Sequence, residues 1–123
     1  MAELACDSGA SLLTVTLTAA SAVRGVRVTT NSSGLVAVQD ATARGDFVLA
    51  QDGAASAVIA AFDAQEGIVP ALASEACAVG DLAYAAASGK FSKTSTNAAL
   101  MGRWVQAASG DAVLGSVKLF GVA

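Results

Sequence analysis

The side chains best equipped for chemistry in this chain are few and scattered. Cys6 and Cys77 are the two cysteines, and there is no histidine. Without histidine the usual general base is missing, as are the Ser–His and Cys–His nucleophile pairs and the commonest zinc ligand. Two cysteines so far apart in sequence make no metal-ligand pattern. They read as free thiols rather than a disulfide. The start Met1-Ala-Glu-Leu-Ala-Cys6 lacks the basic and apolar regions of a signal peptide, so a reducing site of synthesis is expected.

The carboxylates Asp63 and Glu66 are close enough for acid–base work, but they sit in a polar connection, Asp63-Ala-Gln-Glu-Gly67, where solvation accounts for both. There is no Walker phosphate loop and no dinucleotide fingerprint after a strand. Arg44-Gly45-Asp46 matches the integrin-binding tripeptide and Asn31-Ser32-Ser33 a glycosylation sequon; both read as turn chemistry. The expectation is no enzyme, no catalytic residue, no metal and no cofactor.

The elements that would have to carry any site are short strands. The 123 residues suit one domain, with 54 % apolar residues but only 5 % aromatic. Much of the apolar content is Ala and Val, which predicts a thin core and further stability from assembly. Net charge is −3. The local cationic enrichment at Lys90, Lys93 and Arg103 reads as solvated strand positions, and without a basic stripe no nucleic-acid partner is expected. No run of 18 apolar residues exists, so no membrane span is expected.

Along the chain, residues 1–11 have little pattern and read as an extended arm, ahead of one β domain over 12–123. Leu13, Val15 and Leu17 alternate with threonines, as in a half-buried strand. Residues 22–30 form the next strand candidate, with Val26 and Val28 facing one way and Arg27 the other. Asn31-Ser-Ser-Gly34 is a turn and Leu35–Gln39 a returning strand. Phe47–Ala50, a turn at Gln51-Asp52-Gly53, and Ala55–Phe62 follow. Residues 54–62 could also suit a helix, though Val58-Ile59 favours a strand. Ile68-Val69-Pro70 is extended, because the single proline restricts Val69 to the β region. Ser74 and Glu75 could begin one helical turn. The best-patterned stretch, Ala83–Gly102, reads as a hairpin with Gly89 supplying positive φ. It leads into strands over Leu100–Ala107 and Ala112–Phe120.

An internal repeat links residues 22–62 with 77–120. Gly25 falls on Gly80 and Ser33-Gly34 on Ser88-Gly89. After a two-residue slip, Gly45-Asp-Phe-Val falls on Gly102-Arg-Trp-Val, which equates Phe47 with Trp104. The fold expected is all-β, a small β-barrel or sandwich built from two similar halves, with Phe47, Tyr84, Phe91 and Trp104 as core anchors.

The run Gly80-Asp-Leu-Ala-Tyr-Ala-Ala-Ala-Ser-Gly-Lys-Phe-Ser-Lys-Thr, followed by Gly102-Arg-Trp-Val-Gln-Ala-Ala and Gly115-Ser-Val-Lys-Leu, resembles the tailed-phage capsid cement or head-decoration proteins, formerly a domain of unknown function. The lead-in Ile68-Val69-Pro70-Ala71-Leu72-Ala73 fits the same pattern. The likeness covers about residues 66–119 well and the first half loosely. The resemblance implies a virion protein made in the host cytoplasm. It would bind the outer surface of the head, bridge neighbouring major capsid protein subunits and self-associate there as a trimer or dimer. Leu4, Leu12, Leu13, Leu119 and Phe120 are the candidates for capsid contact. The arm could add a strand to a neighbour's open edge. The alternative is a small virion binding module for a receptor or a carbohydrate.

Overall fold

The computed structural model describes residues 12–16, 23–31, 34–37, 42–53, 58–63 and 67–120. Ten strands are placed there. The first five are β1 (Leu12–Thr16), β2 (Arg27–Asn31), β3 (Gly34–Ala37), β4 (Phe47–Leu49) and β5 (Val58–Asp63). They form one antiparallel sheet in the order β1-β5-β4-β2-β3. The second five are β6 (Gly67–Leu72), β7 (Leu82–Ala85), β8 (Phe91–Ser92), β9 (Leu100–Gln106) and β10 (Leu114–Leu119). They form a second antiparallel sheet, β6-β10-β9-β7-β8.

The two sheets repeat one connectivity. Each begins at an edge strand, which pairs with the fifth strand of its set, and the fourth, second and third follow. The repeat takes in β1 and β6 and so extends beyond 22–62 and 77–120. It also corrects the residue equivalence. The Gly25 amide donates to the Leu49 carbonyl at 2.9 Å, and the Gly80 amide to the Trp104 carbonyl at 2.9 Å. The Leu49 amide returns to Val26, and the Trp104 amide to Asp81. One spacing therefore carries Gly25 to Gly80, Val26 to Asp81 and Leu49 to Trp104. Trp104 corresponds to Leu49, not to Phe47, because the register continues without the two-residue slip.

The architecture is a sandwich. A closed barrel would need a ladder between the sheets, and none joins them among the described residues. Side chains and a few backbone contacts do so instead. The Leu72 amide donates to the Gly25 carbonyl at 3.1 Å. Gly25 sits in a turn at φ 85°, where a Cβ would lie 2.6 Å from the Leu114 side chain and 2.7 Å from the Leu72 nitrogen. Only glycine allows both that φ and that approach.

Two arginines of the first half complete the junction. Arg27 is fully buried. Its guanidinium donates to the carbonyls of Ala43, Arg44 and Ala86, and to that of Lys90 at 3.2 Å. It also lies over the Phe91 ring. Strand alternation does turn Arg27 away from Val26 and Val28, but the hairpin between β7 and β8 covers that side too. Arg44 reaches the Leu100 carbonyl at 2.7 Å and the Phe120 carbonyl at 2.8 Å. Burial holds its pKa below the ordinary arginine value. These bonds occupy the side chain that opens the Arg-Gly-Asp tripeptide.

The core of the second sheet gathers around Trp104 and Phe91, whose rings meet edge-on at 6.4 Å and 76°. The indole N–H donates to the Ser92 carbonyl at 3.3 Å. Ala71, Ala73, Ala83, Ala85 and Ala108 pack around them with Val69, Met101 and Val117. Small residues leave room for the large rings, so interdigitation is kept without large aliphatics.

The segment 54–62 is extended where described, as β5. Ser74 and Glu75 start no helical turn. They lie in a bend between the bridges Ala73–Phe91 and Cys77–Ala108. The Glu75 carboxylate accepts from the Thr94 hydroxyl at 2.6 Å and the Lys93 amide at 3.2 Å. The Thr94 bond, with the Lys93 amide and charge, holds its pKa below the ordinary range.

A candidate interaction surface on the second sheet

The register of the second sheet sets four side chains in one row across four strands. Ile68 of β6 stands opposite Lys118 of β10, Lys118 opposite Arg103 of β9, and Arg103 opposite Leu82 of β7. Directly paired residues project from the same face. All four are exposed, Ile68 by 40 % and Leu82 by 36 %. The strands alternate here as a half-buried sheet requires: Val117, Leu119 and Trp104 point inward, Lys118 and Arg103 outward.

Neighbouring positions extend the apolar part. Leu100, Val105 and Leu114 are exposed. The register between β9 and β10 shifts beside Val117, and Val105 is the residue without a partner there. Such bulges re-aim side chains at a sheet surface. Tyr84 alternates with Leu82 and is paired with Leu100, so it is half-buried towards this face and not a core anchor.

Two cations standing opposite each other is an unfavourable pairing within a sheet. Arg103 donates to the Gly80 carbonyl at 2.7 Å, and the Lys118 ammonium has no hydrogen-bond or ion-pair partner among the described residues. Among the described residues neither has a carboxylate partner. Lys90, by contrast, is paired with Asp111 at 2.8 Å. The Lys90 contact holds the Asp111 pKa below the ordinary carboxylate range. Asp81, beside Leu82, accepts from the Ala78 amide within its own turn.

Those of the residues expected to touch a capsid that are described fall elsewhere. Leu119 is buried in the core at 3 % exposure, because it lies on the inward phase of β10 beside the outward Lys118. Phe120 is half-buried, and its carbonyl is held by Arg44. Leu12 and Leu13 lie on β1, paired with Phe62 and Ala61. Leu4, Cys6 and the arm lie outside the described residues. Of the expected anchors, Phe91 and Trp104 are fully buried and Phe47 is half-buried. The reading of the sequence missed Ile68, Leu82 and Lys118. The signal was present in Gly102-Arg103-Trp104 and Val117-Lys118-Leu119, each a cation between inward-facing neighbours, but only the register makes the two cations adjacent.

A separate open hollow of about 380 Å³ is lined by Ser74, Glu75, Ser92, Thr94, Thr96 and alanines. No aromatic ring lines it, so a sugar would find no stacking platform there. Trp104 is sealed in the core and cannot serve as one. Among the described residues no group of three or more metal-ligating side chains occurs, and no helix is long and apolar enough to cross a membrane.

No family model matches the chain, and no curated protein matches it by sequence. Its fold is similar to that of a solved structure, the N base of the head fiber protein gp8.5 of bacteriophage phi29, with a TM-score of 0.70 and 12 % identity, covering 92 % of this chain and 99 % of that one.

Proposed function

We propose that the chain is a structural protein of a bacteriophage virion that attaches to the head and grips subunits of the major capsid protein. The observation that carries this reading is the likeness in fold to a head fiber base, which spans nearly the whole of both chains. The sequence resemblance to head-decoration proteins around Gly80–Thr94 points the same way. The chain acts by contact and not by catalysis. Its sandwich supplies a rigid body, locked by Arg27 and Arg44, that many copies can present to a repeating shell. Weak single contacts then sum to firm attachment. Fiber base and cement protein are two versions of this role, and the cement version adds bridging between neighbouring capsid subunits and self-association on the shell.

Co-sedimentation tests it. The purified chain is mixed with DNA-filled heads that lack it, and bound copies are counted against the major capsid protein. Saturation at a fixed small-integer ratio is the expected result. A ratio near one per few capsid subunits marks cement, and one per vertex or facet a fiber base. Absence of saturable binding refutes the proposal.

A further inference from the structure

We propose that the row Ile68–Lys118–Arg103–Leu82 is the gripping face, and that it takes a protein surface carrying a carboxylate between apolar side chains. The inference rests on the head-binding role and names the contact that performs it.

Charge complementarity is the main argument. The chain is acidic overall, at −3, yet two cations stand side by side on this face with no carboxylate partner among the described residues. Their mutual repulsion is relieved when an external carboxylate sits between them. Arg103 is held in place by the Gly80 carbonyl, while Lys118 can swing to meet the incoming group. Ile68 and Leu82 flank the pair as exposed apolar side chains. Burying them on contact would exclude water and strengthen the ion pairs.

Patch size decides between occupants. Four strands about 4.8 Å apart and about six residues long make a face on the order of 300–400 Å². A stable complex in solution needs about 800 Å² from each partner. The face is too small to hold a second copy of the chain by itself. It would also set cations against cations if two copies met through it by a twofold axis. A repeating acidic surface, where many copies bind at once, suits it better.

Heads lacking the chain are titrated with the full chain and with three variants: Lys118→Glu, Ile68→Ser and Lys93→Glu. Lys93 is an exposed cation away from the row and serves as the control. Lys118→Glu should weaken binding about tenfold at low salt, because it turns an attraction into a repulsion of similar size. Ile68→Ser should weaken it several-fold, and Lys93→Glu should leave it unchanged. Binding by the unmodified chain should fall as salt rises. If the unmodified chain binds while all three variants bind equally well, this face is wrong and the head-binding role stands. Equal weakening by Lys93→Glu would show general charge attraction and overturn the proposal. A change in sedimentation of the free chain on Lys118→Glu, with head binding intact, would make the face an interface between copies and overturn it too. No binding by the unmodified chain removes both readings.

Discussion

The guanidinium carbon of Arg27 lies 5.8 Å from the centre of the Phe91 ring, so a buried cation of the first sheet rests on an aromatic anchor of the second. The same side chain donates to the Ala86 and Lys90 carbonyls of the β7–β8 hairpin and to the loop before β4. One residue therefore fastens three segments, and removing it leaves buried carbonyls without donors. Arg27→Met should destabilise the fold by about 3 kcal/mol. Arg27→Lys should cost nearly as much, because an ammonium cannot span the fork of acceptors. Urea unfolding followed by Trp104 emission measures both. A cost for Arg27→Met below about 1 kcal/mol would mean that the contact is dispensable.

Gly25 and Gly80 hold corresponding turns at similar φ, 85° and 96°, but only Gly25 is crowded. A Cβ at Gly80 would meet nothing within 4 Å. Gly80→Ala should thus cost about 1–2 kcal/mol, the backbone term alone. Gly25→Ala should cost about 1–3 kcal/mol more, since Leu114 and the Leu72 backbone must move. The difference between the two measures how tightly the sheets press together. Equal losses in denaturant titrations would show that the junction yields freely.

Much of this architecture could be read directly from the residues. The Leu–Thr alternation announces β1, the turn glycines bracket the hairpins, and Gly25 with Gly80 exposes the repeat. What stayed hidden depends on contacts between elements. Alternation sends Arg27 away from Val26, but nothing local reveals that the β7–β8 hairpin covers it. Phe47 aligned with Trp104 because both follow a glycine by two residues, whereas the backbone bonds equate Trp104 with Leu49. The Arg103–Lys118 adjacency depends on the register of β9 and β10 and on the bulge at Val105, neither of which is written in a single strand.

Cys77 is 4 % exposed and its thiol lies 3.3 Å from the Glu75 carbonyl. Burial, with added repulsion from Glu75 and Asp81, pushes its pKa up to about 11. The folded chain holds this proton more tightly than the unfolded chain. The stabilising contribution is complete below the unfolded pKa near 9.0 and is lost as pH rises towards about 11. In a Cys6→Ser background, alkylation at pH 8 should proceed only as fast as the fold opens. Unfolding free energy should decline across the alkaline window, and Cys77→Ala should flatten that decline. Rapid labelling of the folded chain would contradict the burial.

The pairing of Lys118 with Arg103 makes one further demand. If the repulsion between them is real, the residue that weakens attachment when reversed must also be one whose reversal steadies the isolated chain. Lys118→Glu converts a like-charge cross-strand pair into an opposite-charge one, so it should stabilise the free protein by about 0.2–1 kcal/mol. The gain should shrink as salt rises, because both side chains are solvent-exposed. Lys93→Glu places a carboxylate next to Glu75, which already holds the Lys93 amide, and should give no such gain. Thermal melts of the two variants at low and high salt make the comparison. Opposite effects of Lys118→Glu on stability and on head binding would place the repulsion at the contact itself, since a merely damaged fold would lose both together.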